Sequence, residues 1–119
     1  MNGNLAFMII MIVGIVMCAN VIHISPWEVG LALIEGASRV LPAEGLFFLY
    51  GPFMREGAHT APSNERFDES LRARDPRWGV RDVTDVSGAA RDVGLHLREV
   101  VDMPANNLSL IFRKDARGS

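Results

Sequence analysis

Asn20–Phe53 reads NVIHISPWEVGLALIEGASRVLPAEGLFFLYGPF, and an apolar tract, Leu5–Ala19 (LAFMIIMIVGIVMCA), runs into it with no charged side chain. Such a tract, stopping near a histidine and entering Ser-Pro-Trp-Glu, is either a buried strand turning into a helix or a membrane segment reaching water. The entry chemistry favours the strand. Ser25 in the N-cap position, Pro26 at the first helical position and Glu28 three residues after the serine form a capping box. A helix over residues 26–41 follows, with Trp27, Leu31, Ile34 and Leu41 on one face. Glu28, Ala32, Glu35 and Arg39 form the solvated stripe, with Glu35 and Arg39 at the favourable i,i+4 offset. Pro42 and Gly45 close the helix, and the apolar run Gly45–Tyr50 (GLFFLY) suits a strand covered on both faces. Ile12–Ile24 fits the same description, so the stretch reads as a β-α-β unit with a right-handed crossover.

The membrane alternative needs roughly 20 predominantly apolar residues. Residues 5–24 reach that length only by including Asn20 and His23, and the leading MNGN carries no Lys or Arg.

Beyond Tyr50 the character changes. Residues 51–81 are polar, charged and broken by proline and glycine, but Phe53, Phe67 and Trp78 are interleaved, which favours an ordered lid over a linker. Within it Ser63 is placed to cap a short helix with Phe67 and Leu71 facing inward. A second helix is expected over Val83–Val93, with Asp82 at N-cap, Val83, Val86, Ala90 and Val93 on one face, and Gly94 just past its end. LHLREVVDM and LSLIFR, joined by Pro104-Ala105-Asn106-Asn107, read as an antiparallel hairpin. The order β-α-β-(lid)-α-β-β is an α/β sheet, mostly parallel, with a reversed last strand.

The totals restrict function. A chain of 119 residues holds one domain at most, and a net charge of −2 gives no basic face for nucleic acid. Cys18 is the single cysteine, set in an apolar run where it serves as a small hydrophobe, and a reducing compartment is the easier fit. No two of the eleven glycines are separated by one residue, so neither G-x-G-x-x-G nor a phosphate loop exists. His23, His59 and His96 are dispersed without metal-ligand spacing, and no serine or cysteine triad is discernible. What remains are polar groups beyond the carboxyl ends of strands, where ligands bind in open α/β sheets. Asn20, His23 and Ser25 lie past the first strand, Tyr50 ends the second, and together they suggest a pocket. Asn106 and Asn107 read as turn formers, and Arg72, Arg74, Arg77 and Arg81, alternating with Asp68, Asp75 and Asp82, as a solvated surface.

Asn20–Phe53 resembles the region after the fourth strand of class I S-adenosylmethionine-dependent methyltransferases. The segments YGPF, TAPSNERFDESLRARDPRWGVRD and VDMPANNLSLIFRK together are similar to the methyltransferase-like 26 family, a domain of unknown function, across Gly14–Lys114. The resemblance implies a Rossmann-like sheet of order 3-2-1-4-5-7-6 with the seventh strand antiparallel. This chain would supply strands 4-5-7-6 and lack the half with the glycine-rich cofactor loop and the acidic ribose partner. It divides the chain into an unmatched apolar leader (1–13), a partial methyltransferase-like domain (14–114, with 51–81 as lid) and a tail (115–119). It implies S-adenosylmethionine as cofactor, with Asn20 and His23 at its methionine end, His23 as candidate base, and Tyr50, His59, Asn64 and Trp78 shaping an acceptor pocket. The methyl acceptor is not implied.

A chain with strand four at the sheet edge would expose unpaired backbone and an apolar patch. The expectation is therefore no cofactor binding alone, and either self-association through residues 8–20 or a complementary N-terminal half. A cytoplasmic methyltransferase-like protein is the leading reading. A non-catalytic remnant or interaction module, and a small protein anchored in a membrane through residues 5–24, are the alternatives.

Overall fold

A computed structural model describes residues 8–12 and 14–116. Five strands, β1 (Met8–Ile12), β2 (Ile15–Ala19), β3 (Leu46–Gly51), β4 (Leu95–Met103) and β5 (Asn107–Lys114), form one sheet in the order β1-β2-β3-β5-β4. Three helices, α1 (Trp27–Val40), α2 (Pro62–Arg74) and α3 (Val83–Asp92), fill the connections. β2 and β3 pair in parallel, while β5 runs antiparallel to both β3 and β4. Strands β2, β3, β5 and β4 thus stand in the expected order 4-5-7-6 with the last strand reversed.

One strand was not foreseen. β1 pairs antiparallel with β2, Ile12 opposite Ile15, so β2 lies inside the sheet and the edge passes to β1. Gly14, at φ +84, occupies a left-handed position in the tight connection, a conformation that costs glycine nothing. The tract therefore doubles back as two short strands. No helix among the described residues is long and apolar enough to cross a membrane, and residues 8–12 and 15–19 are extended where the anchored alternative needs a helix.

β2 also ends earlier than the apolar run. Asn20 turns the chain with φ +65, and its carbonyl accepts from the N–H groups of His23 and Ile24. Ser25 does not cap α1: its hydroxyl donates to the Val21 carbonyl at 2.7 Å, and Pro26 takes the N-cap position without a side-chain bond. The buried face of α1 is Gly30, Ile34, Ala37 and Ser38, leaving Leu31 40% exposed instead of inward. At the far end the Lys114 ammonium caps the helix by donating to the Ser38 and Leu41 carbonyls. α2 begins at Pro62 behind Ala61, so Ser63 is an exposed residue of its first turn and not its cap. α3 keeps its expected cap, the Asp82 carboxylate accepting from Thr84 N–H at 2.8 Å.

One face of the sheet carries the core. Val16 and Cys18 of β2, Phe47 and Leu49 of β3, and Leu108, Leu110 and Phe112 of β5 pack with Ile34, Ala37 and Leu41 of α1 and its flank, and with Val86 and Ala90 of α3. Phe47 and Phe112 are fully buried, ring centroids 5.9 Å apart, each contributing about 2–3 kcal/mol through burial. The opposite face shows Ile15, Met17, Leu46, Phe48 and Ile111 only half-buried, Met17 at 41% exposure.

Candidate functional site

The carboxyl ends of the parallel pair β2–β3 meet the lid and the β4–β5 hairpin at one end of the sheet. A cleft of about 250 Å³ opens there. Three carboxamides line it, Asn20 after β2, Asn64 in the first turn of α2 and Asn107 at the start of β5, with the Ser63 hydroxyl and apolar patches from Pro52, Phe67 and Ala105. No ionisable side chain is among these residues. Asn107 donates to the Tyr50 hydroxyl at 3.1 Å and to the Pro104 carbonyl at 3.3 Å, tying the end of β3 to the hairpin. Asn64 is buried, and its amide donates to Thr60 Oγ1 and to the Asn106 carbonyl, both at 3.0 Å. Asn20 and Asn64 line the cleft, while Tyr50 does not and reaches it only through the bond its hydroxyl accepts from Asn107. Asn107 plays a larger part than its reading as a turn former allowed.

His23 lies behind this cleft, completely buried. Its Nδ1 accepts from Arg81 N–H at 3.0 Å, its carbonyl accepts from Gly79 N–H at 3.0 Å, and its ring stands edge-on to Phe53 at 4.5 Å. The bond to Nδ1 places the remaining proton on Nε2, which has no hydrogen-bond partner among the described residues. Burial, followed by the Arg81 cation, pushes the imidazole down to about 3, so the ring is neutral at ordinary pH. Gly51 makes this packing feasible: a Cβ there would meet His23 Nε2 at 2.7 Å and Asn20 Oδ1 at 3.0 Å. The arrangement locks the Asn20 turn against the start of the lid and leaves the ring without solvent exposure.

His59 and Trp78 are not among the residues of the cleft. His59 is held against Asp68, Nε2 to Oδ2 3.4 Å, and Trp78 sits half-buried in the turn after α2, its N–H donating to the Asp75 carbonyl. Asp68 and Arg81, read from the sequence as solvated charges, are structural. The Asp68 carboxylate is buried, accepting from Val80 N–H at 2.8 Å and from Arg72 Nε at 3.1 Å. Arg81 donates through Nε to the Ile22 carbonyl and through Nη2 to the Ser25 and Arg77 carbonyls, its guanidinium 5.5 Å over the Trp27 ring. Burial, then Arg72, lowers its pKa. The only sequence signal for Asp68 is its i,i+4 spacing to Arg72; Arg81 left none. Cys18 is buried and its thiol is pushed up to about 11 by desolvation, which suits packing and not nucleophilic chemistry. Among the described residues no group of His, Cys, Asp and Glu could hold a metal ion.

A family model described as a protein of unknown function, DUF938, matches residues 8–114, six residues further towards the N-terminus than the resemblance read from the sequence. Solved structures share the fold. Human N-acetylserotonin methyltransferase, in complex with SAM, superposes with a TM-score of 0.76 at 13% identity, over 86% of this chain and 29% of that one. An O-methyltransferase family protein from Burkholderia thailandensis gives 0.74 at 16% identity, over 87% and 30%. CalO1, a methyltransferase in calicheamicin biosynthesis in its SAH-bound form, gives 0.70 at 17% identity, over 83% and 29%. The chain thus spans less than a third of each of these structures, and the likeness is to a methyltransferase-like Rossmann-type fold. The residues present do not fit a whole S-adenosylmethionine. The cleft falls below the roughly 300–1,000 Å³ of small-molecule sites, no carboxylate lines it for a ribose, and the chain has no glycine-rich phosphate-type loop.

Proposed function

The chain belongs to the DUF938 family of proteins of unknown function, and from that premise we propose that it forms the acceptor-side half of an S-adenosylmethionine-dependent methyltransferase-like fold, unable to bind the cofactor by itself. The observation that carries this reading is the charge-free, carboxamide-lined cleft at the carboxyl ends of β2 and β3. It stands where open α/β sheets take ligands, in a fold shared with methyltransferase structures of more than three times the aligned length. Methyl transfer asks mainly for positioning of its two reactants, and a wall of fixed amides supplies orientation without a charge of its own. Asn20 and His23 border the side on which the cofactor's methionine end would lie. His23 acts there as a positioning residue, its neutral ring fixing the Asn20 turn. Tyr50 and Asn64 shape the acceptor side, while His59 and Trp78 stiffen the lid behind it.

The long segments Thr60–Asp82 and Val101–Lys114 support a narrower placement in the methyltransferase-like 26 family, and a lone buried thiol supports a cytoplasmic setting. A complementary half, carrying a strand, a G-x-G turn and a helix, is the partner this reading requires. Calorimetric titration of S-adenosylmethionine into the chain is expected to give no saturable heat, and binding is expected once such a half is added. Sub-millimolar affinity of the chain alone would remove the proposal.

A non-catalytic interaction module is the second reading, favoured by the half-exposed row Met17, Phe48 and Ile111 on the face opposite the core. A tight partner that blocks cofactor binding to the completed fold would favour it over the enzyme.

A further inference from the structure

Beside the carboxamide cleft lies a second of similar size, about 250 Å³, lined by Arg55, Thr60, Asp102, Met103, Asn106 and Leu108. Both clefts share Asn107. Hydrogen bonds run from one to the other: Asn64, from the first cleft, donates to Thr60 Oγ1 and to the Asn106 carbonyl, which belong to the second, and the Asn106 amide donates in return to the Ser63 hydroxyl at 3.5 Å. These bonds rest on a strained support. Ala105 and Asn106 both hold φ +62, the left-handed region, and Ala105 has no side-chain amide to stabilise that conformation. Separately each cleft is smaller than an ordinary ligand site, while joined they fall within that range.

We propose that the two clefts are one binding site divided by an Asn64 latch between the lid helix and the hairpin, and that its ligand is an uncharged, ring-sized molecule that both donates and accepts hydrogen bonds. This deepens the acceptor-side reading and rests on it for the identity of the ligand as a methyl acceptor. The charge preference follows from the lining. The first cleft offers only amides, a hydroxyl and apolar surface, so an anion or cation entering it would be desolvated without a counter-charge. In the second cleft Arg55 and Asp102 already lie 4.0 Å apart and leave no net charge to attract one. Release of Asn64 from the Asn106 carbonyl frees an amide donor and an acceptor for the ligand in place of the bonds it gives up.

The test is a titration of the isotope-labelled whole chain with benzamide, benzoate and benzylamine at neutral pH, followed by amide NMR, and repeated on Asn64→Ala. Benzamide is expected to shift Ser63 and Asn107 of one cleft and Thr60 and Met103 of the other along a single saturation curve. The two charged rings are expected to bind at least ~10-fold more weakly, the discrimination usual for a buried polar mismatch. Asn64→Ala is expected to tighten binding of a longer neutral probe, benzanilide, several-fold. Separate curves for the two clefts, equal binding of a charged ring, or no saturation by benzamide each overturn the proposal. The wild-type titration decides it even if the variant does not fold. A preference for a charged ring would leave the methyltransferase-like reading standing, because that reading is tested by cofactor and complement.

Discussion

His23 shows how a residue with the right chemistry at the right strand end can be committed to structure. Its ring is sealed between Gly51, Phe53 and the backbone of Arg81, and burial first, then the Arg81 cation, pushes its pKa from 6.5 to about 3. The unfolded chain therefore binds a proton that the folded chain refuses between those values. Stability from this group is complete above pH 6.5 and is lost as pH falls through the window towards about 3. The expected outcome is that denaturant unfolding of the whole chain loses a few kcal/mol between pH 7 and pH 4. His23→Asn, which keeps an acceptor near Nδ1 but cannot take up a proton, flattens that dependence while costing stability at pH 7 through the missing ring. An unchanged slope in the variant would place the titration elsewhere. Asn20 was legible as a cleft residue because strand ends in open sheets are where ligands sit. The bonds that complete the site were not, since Asn64 to Asn106 and His23 to Arg81 join residues 42 and 58 apart and leave no local pattern.

At the level of elements, Ser25 and Asp82 had the same sequence credentials as caps, and only Asp82 is one. The difference lies in the turn before each helix. The chain reaches α1 through the tight turn at Asn20, which brings the Val21 carbonyl within 2.7 Å of the serine hydroxyl, so the side chain donates backwards and accepts nothing. Asp82 comes after an extended loop, and its carboxylate is free to accept from Thr84 N–H and, at 2.6 Å, from Gly57 N–H. Ser25→Asp separates the two roles. At a true N-cap the exchange is nearly neutral, but a carboxylate set against the Val21 carbonyl is expected to cost about 1–3 kcal/mol. A thermal melt of Ser25→Asp that matches the wild type would restore the capping box. Strand and helix types were readable from apolar runs and heptad-like spacing at β3, α1, α3 and the hairpin. The length of β2 was not, because a continuous oily run carries no mark of where it turns, and neither was β1, whose pairing depends on one glycine at position 14.

The whole molecule has two unlike edges. β4 is guarded, with His96, Arg98, Glu99 and Asp102 exposed along it, the charges that keep a strand from pairing with a neighbour. β1 reads MIIMI, without a single charge, and Ile9 is 49% exposed. The adjacent sheet face adds Met17 at 41%. Folding residues 8–12 back on β2 shields β2 but moves the same liability one strand outward, onto a strand of equal length that is paired on one side only. Association is therefore expected through β1, by edge pairing of two copies or by exchange of the strand, and not through β4. Sedimentation of the whole chain across the micromolar range should show dimer growing with concentration. Ile9→Lys, which puts a charge on the open edge, should weaken that dimer at least several-fold without lowering the melting temperature of the monomer. A chain beginning at Gly14 exposes the backbone of β2 together with Met17, and should associate more strongly than the whole chain. If Ile9→Lys leaves association unchanged while a change at Arg98 abolishes it, the guarded edge is the contact and the account of β1 fails.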